Sequence, residues 1–252
     1  MYKIKNVIGS VKSIMASKKE KIIVLDVEGY ATVRPYNVGY IIADLHGNIY
    51  RRRSFAIMSC LIENIEAMNH IRQAETMTIK NTKEILEDFE KPKHKRKYQA
   101  VSIETFTKIF TDDIKSFKIK RLFAYNVTFD KGRIKDLIGE KTFATLNLQY
   151  CDIITGITQT KLKSKDYINF CIKNNYLTPK GYISTKAEIV IRYLKNDLTY
   201  EEEHTGLNDV LDEYFILMTA INTHKKIGDW QPIRAWKVLN DFSIEKGIIQ
   251  KE

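Results

Sequence analysis

The amino-acid sequence predicts an α/β fold in which a sheet is flanked by helices. A short continuous apolar run at residues 21–25 suits a strand that is buried on both faces. Strand-like segments follow it across a glycine-containing turn, and longer segments with helical periodicity fill most of the remaining chain. The hydrophobic fraction of 44% and the charged fraction of 29% are typical of a soluble globular protein.

The first three strands are predicted at residues 21–25, 36–43 and 48–55. The last two are separated by residues 44–47, a turn-like stretch that ends in glycine. We expect these consecutive strands to form an antiparallel meander that opens the fold.

Residues 60–118 are polar and have a mainly helical pattern. A cluster of basic residues surrounds Pro92 in this segment, and its members are Lys91, Lys93, Lys95, Arg96 and Lys97. Two interpretations of the cluster stay open, a solvated loop and a contact for the phosphate backbone of a nucleic acid.

The second half of the chain alternates between strand and helix patterns. A strand is predicted at residues 121–125, a helix at about 129–138 and a short strand at 149–153. The pattern is then helical to about residue 174, and residues 177–181 carry a turn signal with proline and glycine.

Two further helices are predicted from signals at their N-termini. Thr185 and Glu188 have the spacing of a capping box, and apolar residues then follow the helical period. The last long helix begins near Thr205, a suitable N-cap residue. The tail at about residues 225–252 contains two tryptophans, and we expect it to pack back on the fold within a single domain, residues 1–252.

Composition argues against several classes of protein. No run of about 18 apolar residues occurs, so no membrane span is expected. The basic N-terminus lacks the apolar core of a signal peptide and favours an extended arm over a membrane anchor. Cys60, Cys151 and Cys171 have no metal-ligand spacing, which indicates buried, reduced thiols in a cytoplasmic protein.

Asp26 and Glu28 follow the first apolar strand and are two residues apart. Because a strand has a period of two residues, both side chains point to one face and Val27 points to the other. Two carboxylates held together repel each other unless a cation lies between them, and oxygen ligands suit Mg²⁺ or Mn²⁺. A surface pair without function is the alternative, but the end of a buried strand is a common ligand position.

Three further residues extend this chemistry. Asp130 lies just inside a helix that follows a strand, where an acid that only complements the helix dipole is the alternative. His204 and Asp209 are five residues apart, which places His204 before the last long helix and Asp209 in its first turn. Asp209 could bind a metal while His204, with an ordinary pKa near 6.5, accepts a proton. An exposed or helix-capping histidine is the alternative for His204.

Four carboxylates would offset the charge of two divalent cations. Such a pair of cations can activate water and stabilise a leaving 3′ oxygen, which is the chemistry of phosphodiester hydrolysis. The net charge of +10 and the isoelectric point of about 9.3 would attract a polyphosphate substrate to surfaces outside this acidic centre.

The order D-x-E, N-x-x-F-D and H-x-x-x-x-D resembles the motifs of the DEDDh exonucleases, which include bacterial proofreading subunits, ribonuclease T and oligoribonuclease. The resemblance covers about residues 20–220, and the stretch 181–194 is similar to phage and bacterial exonucleases. It implies a ribonuclease H-like α/β fold with a mixed five-stranded sheet flanked by helices. It also implies 3′-to-5′ hydrolysis that releases nucleoside 5′-monophosphates.

The same resemblance implies roles for individual residues. The ligands of two divalent cations, Mg²⁺ or Mn²⁺, would be Asp26, Glu28, Asp130 and Asp209. His204 would be the general base, and Asn126 and Phe129 would support the second motif at the substrate.

The sequence departs from the family pattern at two places. Gly29 follows Glu28 where the family often has threonine, which weakens the case for contacts with the terminal nucleotide there. Among the aromatic residues that could stack on a terminal base, Tyr30 is the candidate because it lies close behind Glu28. The first two motifs are just over 100 residues apart, which indicates an insertion at about residues 60–118.

The implied partner is single-stranded nucleic acid, with DNA favoured over RNA, and no membrane is implied. An exoribonuclease with the same site is one alternative, because only contacts to the sugar would differ. A non-catalytic nucleic-acid-binding protein of the same fold is the other. Association with a polymerase or other replication proteins, and a homodimer, are also compatible with the resemblance.

Overall fold

The computed structural model describes residues 20–29, 33–69, 77–224 and 230–249. The basic N-terminal arm and Tyr30 lie outside the described residues. Within the described ranges, no helix is both long enough and apolar enough to cross a membrane.

A mixed sheet forms the centre of the fold. Its strands are β1 (Lys21–Glu28), β2 (Asn37–Asp44), β3 (Ile49–Ile57), β4 (Gln99–Val101), β5 (Arg121–Ala124) and β6 (Gln149–Asp152). The order across the sheet is β4-β3-β2-β1-β5-β6. Strand β2 is antiparallel to β1 and β3, whereas β1, β5 and β6 are parallel to one another and β4 is parallel to β3. The predicted mixed α/β fold and the antiparallel meander are confirmed.

The predicted number of five strands is wrong, because the sheet has six strands within the described residues. The additional strand, β4, pairs with β3 at the edge of the sheet. It has only three residues, of which Gln99 and Ala100 are exposed. So short a strand shows no apolar alternation, and the pairing with β3 rather than a local pattern creates it.

Helices cover both faces of the sheet. They are α1 (Met58–Asn69), α2 (Met77–Glu90), α3 (Ile103–Ser116), α4 (Val127–Ile138), α5 (Glu140–Thr145), α6 (Ile153–Ile157), α7 (Lys165–Lys173), α8 (Ala187–Lys195), α9 (Gly206–His224) and α10 (Ala235–Glu245). The predicted helices near residues 129–138 and after Thr205 correspond to α4 and α9. A π-helical turn, Thr158–Leu162, follows α6, so the helical stretch predicted to about residue 174 consists of several pieces.

The predicted capping box at Thr185 and Glu188 is wrong. The N-cap position of α8 is held by Lys186, which makes no side-chain cap hydrogen bond. Glu188 accepts a hydrogen bond from Arg192 Nη2 at 2.5 Å instead. Arg192 lies one helical turn later, and this i,i+4 ion pair occupies the carboxylate that the capping box would have used.

Strand β1 lies between β2 and β5 and is buried on both faces, as predicted. Ile23 and Leu25 point into a core formed with α1 to α5, whereas Ile22 and Val24 point into a core formed with α6 to α10. The prediction of buried cysteines is confirmed, because Cys60, Cys151 and Cys171 are buried and none of them forms a disulfide bond.

Trp230 attaches the described part of the C-terminal tail to the fold. Its buried ring meets Phe123 edge-on, with ring centroids 6.3 Å apart. A Cβ atom at Gly156 would lie 2.5 Å from the indole, so glycine makes room for it. The predicted packing of the tail on the fold is confirmed for these residues.

A close contact between main chains positions α9 on the sheet. A Cβ atom at Gly39 of β2 would lie 2.0 Å from the carbonyl carbon of Gly206. The N–H of Gly206 donates a hydrogen bond to Asn37 Oδ1 at 2.9 Å. Because a side chain at position 39 would prevent this approach, glycine there brings the first turn of α9 close to the end of β1.

Replacing Gly39 by alanine should lower the free energy of unfolding by about 1–3 kcal/mol, because the added methyl group overlaps main-chain atoms. Thermal unfolding followed by circular dichroism would measure this loss. Gly132→Ala is the matched control, since a Cβ atom there meets nothing within 4 Å and alanine is favoured in a helix interior by about 1 kcal/mol. Equal melting temperatures for Gly39→Ala and the wild type would show that the main chains at Gly39 and Gly206 leave room for a methyl group.

Candidate metal centre

Asp26 and Glu28 lie at the end of β1, on the side of the sheet that α9 covers. They continue the row of alternate residues that Ile22 and Val24 begin. Both carboxylates therefore point to the same face, as the two-residue period of a strand requires. The row changes from apolar to acidic where the core ends.

The turn before α9 brings His204 and Asp209 to these carboxylates. His204 lies two residues before the helix, and Asp209 lies in its first turn and is 4% exposed. Glu28, His204 and Asp209 each offer one ligand atom within 4.8 Å of the others.

Asp130 reaches the same place from α4. It lies in the first turn of that helix and is 3% exposed. Burial raises the pKa of Asp130 well above its usual value, and the negative charge of Asp26 adds to this effect. The structure thus brings together acidic residues from three separate elements.

Burial also dominates the titration of the other three carboxyl groups. It raises the pKa of Asp26 to about 7, with the charge of Glu202 as the next cause. It raises the pKa of Glu28 to about 9 and that of Asp209 to about 10, and the charge of Asp26 is the next cause for both. Acids that retain protons near neutral pH lack a positive partner, which a cation would supply.

Several buried carboxylate oxygens have no hydrogen-bond partner within the described residues. They are Oδ2 of Asp26, Oδ1 of Asp130, Oδ1 of Asp209 and Oε2 of Glu213. Buried polar atoms are normally satisfied, so a group of unpaired acceptors indicates a place for a donor or a cation. Ligands that are all oxygen suit hard divalent cations. The residues present therefore fit Mg²⁺ or Mn²⁺.

Glu213 is a buried carboxylate that the sequence motifs did not identify. It is 5% exposed and lies four residues after Asp209, on the same face of α9. Burial raises its pKa well above the usual value, and the charges of Asp26 and Asp130 are the next causes. The i,i+4 spacing from Asp209 is the sequence signal that could have identified it.

His204 has a polar but partly buried environment. Burial lowers its pKa, and Lys80 and Lys186 act in the same direction whereas Glu188 opposes them. The imidazole is therefore neutral near pH 7, which is the form that accepts a proton. Glu202 Oε2 lies 3.9 Å from His204 Nδ1.

Asn126 and Phe129 lie at the surface rather than in the buried cluster. Asn126 is exposed at the N-cap position of α4 and makes no side-chain cap hydrogen bond. Asp152 Oδ1 fills that role by accepting a hydrogen bond from the N–H of Val127 at 3.1 Å. Phe129 is 42% exposed, one residue before Asp130, with the guanidinium of Arg133 over its ring. Its exposed ring is available to a ligand.

No protein-family model matches the chain, and no curated protein matches it. Among solved structures, the crystal structure of cell-death related nuclease 4 (CRN-4) is similar, with a TM-score of 0.43 and 12% sequence identity. The match covers 81% of this chain and 64% of that chain, so this chain spans less than two thirds of the length of that structure.

Rising pH should destabilise the protein in a chelating buffer. The folded pKa values of Asp26, Glu28 and Asp209, about 7, 9 and 10, lie above the values of an unfolded chain. The folded state therefore keeps protons that the unfolded state releases above about pH 4. This stabilisation is complete below that pH and is lost as the pH rises through the folded values. Melting temperatures measured from pH 5 to about pH 9 should fall.

Added Mg²⁺ or Mn²⁺ should oppose this loss, because a cation that binds only the folded state stabilises it by about 2.7 kcal/mol at 100 times its Kd. Differential scanning calorimetry would measure the rise in melting temperature. Asp209→Asn should reduce the rise, whereas Asp112→Asn, at an exposed position on α3, should keep it in full. A wild-type melting temperature that neither Mg²⁺ nor Mn²⁺ raises would contradict the metal centre.

Proposed function

We propose that the protein is a metal-dependent 3′-to-5′ exonuclease of the DEDDh type. It hydrolyses phosphodiester bonds at the 3′ end of single-stranded nucleic acid, preferentially DNA, and releases nucleoside 5′-monophosphates. The observation that carries the proposal is the convergence of acidic side chains from β1, α4 and α9 on one buried centre with His204 beside it. The direction of cleavage and the preference for DNA rest on the resemblance of the motifs.

The acidic residues would hold the cofactor. Asp26, Glu28, Asp130 and Asp209 are the ligands for two divalent cations, Mg²⁺ or Mn²⁺, and their four negative charges would offset the four positive ones. When bound, such a pair supplies activation of the attacking water and stabilisation of the leaving 3′ oxygen. The burial of these residues limits competing solvation by bulk water, which strengthens each electrostatic contact.

His204 accepts the proton of the attacking water. Its imidazole lies within 4.8 Å of ligand atoms of Glu28 and Asp209, at the side of the centre. Its lowered pKa keeps it neutral and ready to act as a base. Glu202, 3.9 Å from Nδ1, favours the ring orientation in which Nε2 is left for the water.

The basic turn, residues 91–97, offers cations to the phosphate backbone of the substrate. Arg96 stabilises the turn by donating hydrogen bonds to two main-chain carbonyl groups at 2.9 and 2.6 Å. Lys93 and Lys95 lie in a short 3-10 turn and are exposed. Of the two interpretations of this segment, we favour the phosphate contact, because the turn is held in shape while its lysines face solvent.

Helix α2 connects the basic turn to the metal centre. Lys97 Nζ pairs with Glu84 Oε1 of α2 at 3.5 Å. Glu84 and Lys80 line the same cleft as His204.

Two other functions use the same structure. An exoribonuclease would share the metal centre and differ in its contacts to the 2′-hydroxyl. A non-catalytic nucleic-acid-binding protein would keep the basic turn without turnover. A cytoplasmic location, a polymerase or other replication partner and a homodimer stay predictions from the sequence.

Wild-type protein should shorten a 5′-labelled DNA strand from its 3′ end, with Mg²⁺ or Mn²⁺ and not with a chelator. Asp26→Asn should lower kcat by orders of magnitude, because it removes a charged ligand. His204→Ala should lower kcat by about 10²–10⁴-fold through loss of the base. Denaturing gels with matched DNA and RNA strands would measure rate, direction and sugar preference.

Asp112→Asn is the control for these variants and should retain the wild-type rate. Binding of the labelled strands without cleavage under any cation would favour the non-catalytic alternative. A full rate for His204→Ala across the pH range would exclude its role as the base.

Reversal of charge at Lys93 and Lys95 should weaken binding of an oligonucleotide and reduce its salt dependence. Each lost phosphate contact should lower the slope of log K against log salt by about 0.7 for a single strand. Hydrolysis of a p-nitrophenyl ester of thymidine monophosphate should be unchanged, because so small a substrate does not reach the turn. The same double reversal at Lys108 and Lys115 on α3 matches the change in net charge, and an equal loss there would contradict a specific contact.

A further inference from the structure

The turn that carries His204 has a main-chain conformation that needs support. His204 has a φ of 52°, in the left-handed region that residues with a side chain seldom adopt. Acidic residues 201–203 precede it, and Glu202 is itself partly buried beside other carboxylates. Main-chain strain at His204 and repulsion among the nearby carboxylates both oppose this conformation of the turn, so contacts from outside the turn must hold it.

Two buried asparagine side chains hold the turn, one at Gly206 and the other at His204. Asn37 of β2 accepts a hydrogen bond from the N–H of Gly206 at 2.9 Å and donates one to the carbonyl of Phe55 at 2.7 Å. Asn81 of α2 donates a hydrogen bond from Nδ2 to the carbonyl of His204 at 2.7 Å. The first asparagine ties the turn to the sheet, and the second ties it to α2.

The bond from Asn81 is made in a protected place. Asn81 is 5% exposed, although its neighbour Lys80 is exposed. A buried amide that loses its partner is costly, so the hydrogen bond strongly favours one position of the His204 carbonyl. That carbonyl belongs to the residue with the left-handed φ, so its position constrains the direction of the imidazole.

We propose that Asn81 is a positioning residue for the reaction, which acts by holding His204 in the orientation that accepts the proton. The proposal rests on the proposed function. It gives the segment at residues 60–118 a catalytic purpose, since α2 completes the active centre through this bond. Asn81 does not touch the substrate, and its effect passes through His204.

Asn81→Ala should lower kcat with Mn²⁺ by about 10- to 100-fold, because a small displacement of a catalytic group has that effect. The KM for the labelled strand and the Mn²⁺-dependent rise in melting temperature should change little. Asn81→Gln keeps an amide donor and should recover part of the rate. Asn64→Ala is the matched control, because Asn64 lies on the same inserted segment as Asn81 and is also buried. Its side chain donates hydrogen bonds to the carbonyls of Arg34 and Cys60 and not to the turn with His204.

A double-mutant cycle separates positioning from general loss of stability. In a His204→Ala background, Asn81→Ala should change kcat little, because the group that it orients is absent. A merely structural role would lower kcat equally in both backgrounds and overturn the proposal. A wild-type kcat in Asn81→Ala would overturn it as well.

Hydrogen exchange of the peptide that spans residues 200–207 distinguishes this proposal from the proposed function. Exchange there should accelerate in Asn81→Ala and stay unchanged in Asn64→Ala, whether or not the protein cleaves nucleic acid. Unchanged exchange in Asn81→Ala would show that Asn81 does not hold the turn. A wild-type protein that cleaves no strand would refute the exonuclease and, with it, the catalytic role of Asn81. The exchange result would still show whether Asn81 holds the turn that carries His204.

Discussion

Burial of several carboxylates in one place costs free energy, because each group loses hydration and repels the others. Asp26, Asp130 and Asp209 come from β1, α4 and α9, and each has a buried oxygen without a hydrogen-bond partner within the described residues. The surrounding elements must hold these side chains together against that repulsion. A divalent cation would turn the repulsion into attraction, so cation binding and folding stability are coupled at this centre.

The sheet and its two cores provide the rigidity that the centre needs. Strand β1 is paired on both sides, and its apolar residues point alternately into the two cores. Helix α9 is fixed by the contact between Gly39 and Gly206, and the start of α4 is fixed by a hydrogen bond from the N–H of Val127 to Asp152 Oδ1. The turn with His204 is held by two hydrogen bonds, one that Gly206 donates to Asn37 of β2 and one that the His204 carbonyl accepts from Asn81 of α2.

Sequence patterns predicted those elements that form because of neighbouring residues in the chain. The apolar run before Asp26 indicated a strand buried on both faces, and the two-residue period placed Glu28 on the same face. Patterns failed where a distant partner decides the outcome. The edge strand β4 exists because β3 pairs with it. The capping box failed for a local reason, because Glu188 pairs with Arg192 one helical turn later. Glu213 was missed because a buried acid on a helix looks like an ordinary polar residue until its neighbours are known.

The sequence by itself determined which residue types stand at which spacing: a D-x-E pair after an apolar strand, an acid at the start of α4, and a histidine just before α9. Those relations span a few residues and follow from the periods of strands and helices. Only the tertiary structure decided that these pieces meet, that Glu213 and Glu202 lie beside them, and that Asn81 reaches His204 across 123 positions. Burial and charge repulsion depend on distances in space, which arise when the sheet brings remote segments together.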